Sequence, residues 1–187
     1  MLRKFMTMAL VTGLALAPAA AIADDEKMSK NDRRRAEIDE MEKSTLDALF
    51  AANEGAKALF DSSKGYAVFE NLKVALGVSG GGGSGVAVSK AGGGRTYMKM
   101  GTAGVGFGLG GKRYQVVFLF ETEELFNNFV EKGWQADTSA NAAAGSASAS
   151  AESTFSGGLK IYQLTEKGLM ANAEVAGTKY WKYDKLN

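Results

Sequence analysis

The sequence contains no cysteine, no histidine and a single proline, Pro18, among its 187 residues. Without histidine there is no Ser–His or Cys–His nucleophile pair, no histidine-ligated haem and no zinc site of the usual His/Cys kind. Without cysteine there is no disulfide. Acid–base chemistry would have to rest on carboxylates, lysine or tyrosine, and no two acids are spaced to suggest a shared cleft. A long hydrophobic run is also missing. Nothing after the N-terminal segment approaches the ~20 apolar residues of a membrane-spanning helix. Net charge is small, 22 Lys and Arg against 21 Asp and Glu. These gaps point to a non-enzymatic protein that needs no cofactor and no metal.

What is present begins with an export signal. Arg3 and Lys4 form a basic start, residues 5–16 are mostly apolar, and Pro18 precedes the small-x-small pattern Ala21-Ile22-Ala23. No acid occurs before Asp24. This is the layout of a secretory signal peptide, with cleavage expected after Ala23. The chain then divides into a signal peptide over 1–23 and a single domain over 24–187, with 24–30 a flexible leader. A lipoprotein would need a cysteine at the cleavage site. The expected location is periplasmic or secreted, with peripheral contact to a membrane. An exported chain without disulfides draws its stability from its core, and 45% hydrophobic residues allow one.

Charge is unevenly distributed. Residues 24–62 carry 11 acids and 7 bases, and residues 121–187 carry 9 acids and 6 bases. Between them, residues 63–120 hold one acid, Glu70, against seven bases: Lys64, Lys73, Lys90, Arg95, Lys99, Lys112 and Arg113. Of 24 glycines, 15 lie between Gly77 and Gly111, inside that basic zone.

The first zone reads as helix. Ser29 is positioned as an N-cap with Asp32 in the first turn, and Ile38, Met41, Thr45, Ala48, Leu49 and Ala52 recur at helical period. Asn53-Glu54-Gly55 interrupts, and Ala56, Leu59 and Phe60 mark a short second helix ending near Lys64-Gly65. The run Arg33-Arg34-Arg35 reads as a solvated face balanced by Glu37, Asp39, Glu40 and Glu42. The second zone reads as short strands at 66–69, 74–79, 85–89 and 95–100, separated by glycine clusters. From Gly104 to Gly110 glycine alternates with Val105, Phe107 and Leu109. On a strand this leaves one bare face, so another segment can pack close at Gly106 and Gly108, or the sheet can bend sharply. Val116 to Phe120 is an unbroken apolar run, the best candidate for a central strand buried on both sides. Thr122 caps a third helix with Leu125, Phe126, Phe129 and Val130 on one face, closed by Lys132 and Gly133. Residues 134–153 are nearly all Ala, Ser, Gly and Asn and suit either a linker or a crowded strand. The chain ends in the aromatic-basic run Lys179-Tyr180-Trp181-Lys182-Tyr183.

Two G-x-G-x-x-G matches occur, at Gly80, Gly82, Gly85 and at Gly106, Gly108, Gly111. A dinucleotide site needs a helix after the glycines, and both matches run on into strand-like sequence. In so glycine-dense a segment chance accounts for them.

The ordered set of Lys64-Gly65-Tyr66-Ala67-Val68-Phe69, Gly77-Val78-Ser79-Gly80-Gly81, the glycine strand at 104–108, Val116-Val117-Phe118-Leu119 and Lys167-Gly168-Leu169-Met170-Ala171 resembles the SYLF domain over roughly residues 30–182. The sequence departs from that pattern at Glu70, at Asn172, and at Gly92-Gly93-Gly94-Arg95, where the family has a Trp-Ser-x-Pro stretch. The resemblance implies a lipid-binding domain, since eukaryotic members bind phosphoinositides and, in some, actin. The fold class expected is α+β: N-terminal helices on a glycine-rich, strongly curved, mainly antiparallel sheet or small barrel, with one inserted helix near 123–132. The expected partner is an anionic phospholipid surface, with a protein partner as in the actin-binding relatives also open, and no nucleic acid. Lys112 and Arg113, which follow the glycine strand, are the first headgroup candidates, then Lys179 and Lys182, with Lys73 and Arg95 beside them. A structural or stress-related envelope protein without a lipid ligand is the alternative, and a small outer-membrane β-barrel is a further one.

Overall fold

A computed structural model of the protein describes residues 28–135, 154–170 and 177–187, with the backbone alone at 76–78 and 105–109. The segment expected to be a signal peptide, most of the Ala/Ser-rich stretch and the packing expected around Gly106 and Gly108 lie outside the described residues.

Local capping chemistry sets the helix ends. Helix α1 (Lys30–Ala52) starts at Ser29, whose hydroxyl accepts the Asp32 N–H at 3.1 Å. Asn53 separates α1 from α2 (Glu54–Ser62): its N–H donates to Leu49 O, and its side chain accepts the Ala56 N–H at 2.9 Å. Thr122 caps α3 (Glu123–Lys132), and Gly133 ends it at φ +71°. The inserted helix thus falls where the sequence places it.

The sheet differs from the expected chain of short strands. Strands β1 (Gly65–Ser89) and β2 (Arg95–Phe120) are continuous, 25 and 26 residues long, and form one antiparallel hairpin from Gly65↔Phe120 to Val88↔Arg95. The glycine clusters lie inside these strands. The other strands among the described residues are β3 (Trp134–Gln135), β4 (Leu159–Thr165), β5 (Gly168–Leu169) and β6 (Thr178–Lys182). All the pairings among them are antiparallel. One edge of β2 is taken by β1, the other by β6 at 98–102 and β4 at 114–120, while β3 pairs β6 and β5 pairs β4.

A straight strand of this length would reach ~80 Å at ~3.3 Å per residue. Instead β1 folds back on itself, with a register slip between Leu76 and Val78. Its ends meet, since the Lys90 N–H donates to Lys64 O at 3.0 Å. Between them Gly81, Gly83 and Gly85 lie against the backbone carbonyls of Leu72, Glu70 and Val68. A Cβ on Gly81 would stand 2.7 Å from Leu72 O, and on Gly83 or Gly85 it would overlap the facing carbonyl outright. Glycine is what permits this approach. Among the described glycines of the hairpin, those pressed against facing backbone are in β1. In the described part of the β2 run, a Cβ on Gly104 would meet the Ser79 hydroxyl at 3.3 Å, Gly110 has open space and Gly111 meets only Lys73 O at 4.0 Å. Among the described residues no ladder joins the two halves of β1, and the sheet is not closed into a barrel.

Alternation along the central strands splits the core into two. Tyr114, Val116, Phe118 and Phe120 join Phe69, Tyr180 and the Phe126, Phe129 and Val130 face of α3. Ring centroids there are 5.0 Å apart for Phe118–Tyr180 and 5.4 Å for Phe118–Trp134, both edge-on, the favoured aromatic arrangement. Val117 and Leu119 face the other way, against Ile38, Leu46 and Leu49 of α1 and Leu59 of α2. The run at 116–120 is buried on both sides, as its composition implies.

Candidate functional site

Followed outward from the core, each face of the hairpin changes character. Tyr66 and Val68 lie under α1 and α2, but Leu72 and Val74, on the same side of β1, are 48% and 45% exposed. The helices end before they reach these positions, leaving an uncovered apolar stripe. Arg113 stands opposite Leu72 in the ladder and Gly111 opposite Val74.

On the other side of the ribbon Lys73 stands directly opposite Lys112. Like charges placed so are unfavourable, and among the described residues neither forms an ion pair with an acid. The Lys112 Nζ lies 3.9 Å from Met170 Sδ. Arg113 meets Glu70 at 3.4 Å with both side chains well exposed, a weak pair that solvent screens.

Beyond the paired part of β4, the chain turns back through Glu166 and Lys167 into β5. Thr165 stabilises the turn: its hydroxyl accepts the Lys167 N–H and donates to Gly168 O, each at 3.3 Å. Gly168 sits at φ +100°, where a side chain would strain the turn. The turn and residues Gly111, Lys112 and Arg113 of β2 enclose a cleft of about 520 Å³, floored by Leu169 and Met170. Three cations, Lys112, Arg113 and Lys167, line it against one carboxylate, Glu166. Glycines on both walls leave backbone accessible. Such a cleft suits a phosphate-sized anion, which charge-assisted hydrogen bonds from Lys and Arg would hold.

The six basic residues singled out from sequence separate into three groups. Lys73, Lys112 and Arg113 come together at this end of the hairpin. Lys179 and Lys182 are exposed on β6, beside residues 98–101 of β2. Arg95 is engaged elsewhere: its guanidinium pairs with Asp39 at 2.6 Å and with the buried carboxylate of Glu42. Glu42 also accepts the Tyr66 hydroxyl at 2.6 Å, and Tyr97 donates to Asp39. Burial first, and then the Glu42 hydrogen bond, hold the Tyr66 phenol well above its ordinary range. Arg95 therefore fastens α1 to the sheet and leaves no free cation for a ligand. The arginine run takes part in the same docking. Arg34 donates to Ser84 at 2.7 Å and Arg35 to Leu186 O at 2.8 Å, besides their pairs with Glu37 and Asp32. Lys167, Leu72 and Val74 are the site residues that sequence reasoning passed over. The period-two pattern Leu72-Lys73-Val74 carried a trace of them.

Among the described residues no helix is long and apolar enough to cross a membrane, which does not bear on spanning by strands. The family model described as Ysc84, Las17-binding protein actin regulator, matches residues 101–187. The chain is also 44% identical over 147 residues to the Beta cell expansion factor A of Aeromonas veronii, a match covering 79% of this chain and 56% of that relative. The chain thus spans little more than half the length of the curated relative it matches.

Proposed function

We propose, from the premise that the chain belongs to the SYLF (Ysc84) family, matched over residues 101–187, that it is an exported, non-enzymatic protein that binds anionic phospholipid surfaces. The observation that carries the reading is the adjacency of the Lys112–Arg113–Lys167 cleft to the exposed stripe of Leu72 and Val74. Basic side chains at an anionic membrane are worth ~1 kcal/mol each. Immersing an exposed Leu or Val adds up to ~1.5–3 kcal/mol if its burial is complete. Cations that meet headgroups and aliphatic side chains that enter the acyl boundary make two different contributions, and salt weakens only the first. Export rests on the composition of residues 1–23.

Co-sedimentation with vesicles tests this. The protein should pellet with vesicles containing phosphatidylglycerol and stay in solution with pure phosphatidylcholine. Lys112→Ala with Arg113→Ala should lower binding about thirtyfold at low salt, as losing two headgroup contacts implies. Leu72→Ser with Val74→Ser should lower it at every salt concentration. Equal binding to both kinds of vesicle, or binding to neither, sinks the proposal. The second reading is a protein partner in place of lipid, and it rests on the family's description as Las17-binding and actin-regulating.

A further inference from the structure

The other half of the hairpin carries an uncovered face of a different kind. The register puts Gly80 and Gly82 of β1, Lys99, Gly101 and Ala103 of β2, and Lys179 and Trp181 of β6 on one side of the sheet. Met98, Met100, Thr178 and Tyr180 occupy the opposite, buried side. Gly80, Gly82, Ala103 and Lys179 are exposed, and Trp181 is 42% exposed.

The indole of Trp181 is seated on Gly101. A Cβ there would come within 3.1 Å of its Cη2 and 3.4 Å of its Cζ3, so the ring occupies the space a side chain would fill. Lys99 is held beside it, its Nζ 4.2 Å from the centre of the Tyr183 ring. Among the described residues, neither Lys99 nor Lys179 forms an ion pair with an acid. The result is a strip of bare backbone with one partly exposed aromatic ring and two uncompensated cations.

This face lacks what the Leu72–Val74 stripe offers a membrane. Among the described residues its floor is Gly80, Gly82, Gly101 and Ala103, with no long aliphatic side chain to immerse. A ring seated against backbone presents a surface for stacking. A ligand that fits has flat rings with an apolar C–H side, carries negative charge and extends along the strip. We propose that this face is a second binding site, for an acidic polysaccharide. A pyranose ring would stack on Trp181, where its C–H groups meet the negative face of the indole. Uronate carboxylates would meet Lys99 and Lys179 through charge-assisted hydrogen bonds. The site is independent of the lipid reading, since it shares no residue with the cleft.

Titration of the full chain with polygalacturonate, and with neutral dextran as the control, tests the assignment. The protein should bind the acidic polymer, ignore dextran, and lose affinity as salt rises. Trp181→Ala should weaken polygalacturonate binding about tenfold, the order that removing one stacking platform gives elsewhere. Trp181→Phe, which keeps a ring, should restore most of it. Lys99→Gln with Lys179→Gln should remove the salt dependence and leave thermal stability unchanged. Binding to phosphatidylglycerol vesicles should be unaffected by Trp181→Ala or Trp181→Phe. Loss of vesicle binding in Trp181→Ala, with polymer binding intact, would make the face a membrane contact and overturn the proposal. Failure of the unaltered protein to bind polygalacturonate overturns it as well, whatever the vesicles show.

Discussion

Along Gly80–Gly85 the odd and even positions of one strand meet opposite surroundings. Gly81, Gly83 and Gly85 face inward onto the carbonyls of Leu72, Glu70 and Val68, with no room for a Cβ. Gly80 and Gly82 face outward, where a Cβ would find a backbone oxygen at 3.9 Å and 3.7 Å, ordinary contact distances. The residue type is the same, and so is the strand. What differs is parity, because successive side-chain positions in a strand point to opposite faces. A glycine-dense run here is a set of two overlaid patterns, one fixed by packing and one free of it.

The sharpest test is Gly83→Ala. The new methyl group would overlap the Glu70 carbonyl and crowd the Asn71 Cα, both of them backbone atoms that cannot rotate away. The fold-back must then open, at a cost of about 3 kcal/mol or more. For a chain of this size that lowers Tm by roughly 10 °C, measurable by calorimetry or circular dichroism. An unchanged melting temperature would mean that the two halves of β1 do not close on one another.

A second closure, on the α1 side, depends on charges where the seam depends on missing atoms. Among the described residues, Arg95→Ala leaves the buried Glu42 carboxylate with the Tyr66 hydroxyl as its one partner. Removing one member of a buried pair costs up to ~3–5 kcal/mol, and the partial exposure of Arg95 brings the expected loss to about 2 kcal/mol. Adding Glu42→Gln should recover part of it, because the stranded charge is gone. No such rescue should exist for Gly83→Ala. Chemical denaturation of the single and double variants measures both.

The features legible in sequence are those decided within a few residues. Ser29 and Thr122 cap helices by bonding N–H groups three positions on, and the apolar run at 116–120 declares a strand buried on both sides. The long strands were not legible, because glycine is a poor strand residue locally. At 81–85 it is required by carbonyls that lie nine to seventeen residues earlier in the chain. The site shows the same division. Lys73, Lys112 and Arg113 stand out by charge in a zone with one acid. Lys167 reaches them only through the β2–β4 pairing, and Leu72 and Val74 are exposed only because α1 and α2 stop short. Arg95 looked free because Asp39 and Glu42 lie 56 and 53 residues before it.

The smallest expected effect completes the comparison. Gly82→Ala places a methyl group on the outer side of the strand, 3.7 Å from Met100 O, with no positive φ to strain. The folded state loses nothing, and the unfolded chain loses conformational freedom. Replacing glycine at a compatible position therefore stabilises by about 0.4–1 kcal/mol. Tm should stay level or rise by roughly 2 °C, the reverse of Gly83→Ala one residue away. A drop comparable to that of Gly83→Ala would show that both faces of the strand are closed, and parity would no longer account for the glycine run. Because Gly82 also floors the strip beside Trp181, the same variant should bind polygalacturonate less tightly while folding at least as well. That outcome would separate a glycine kept for binding from a glycine kept for the fold.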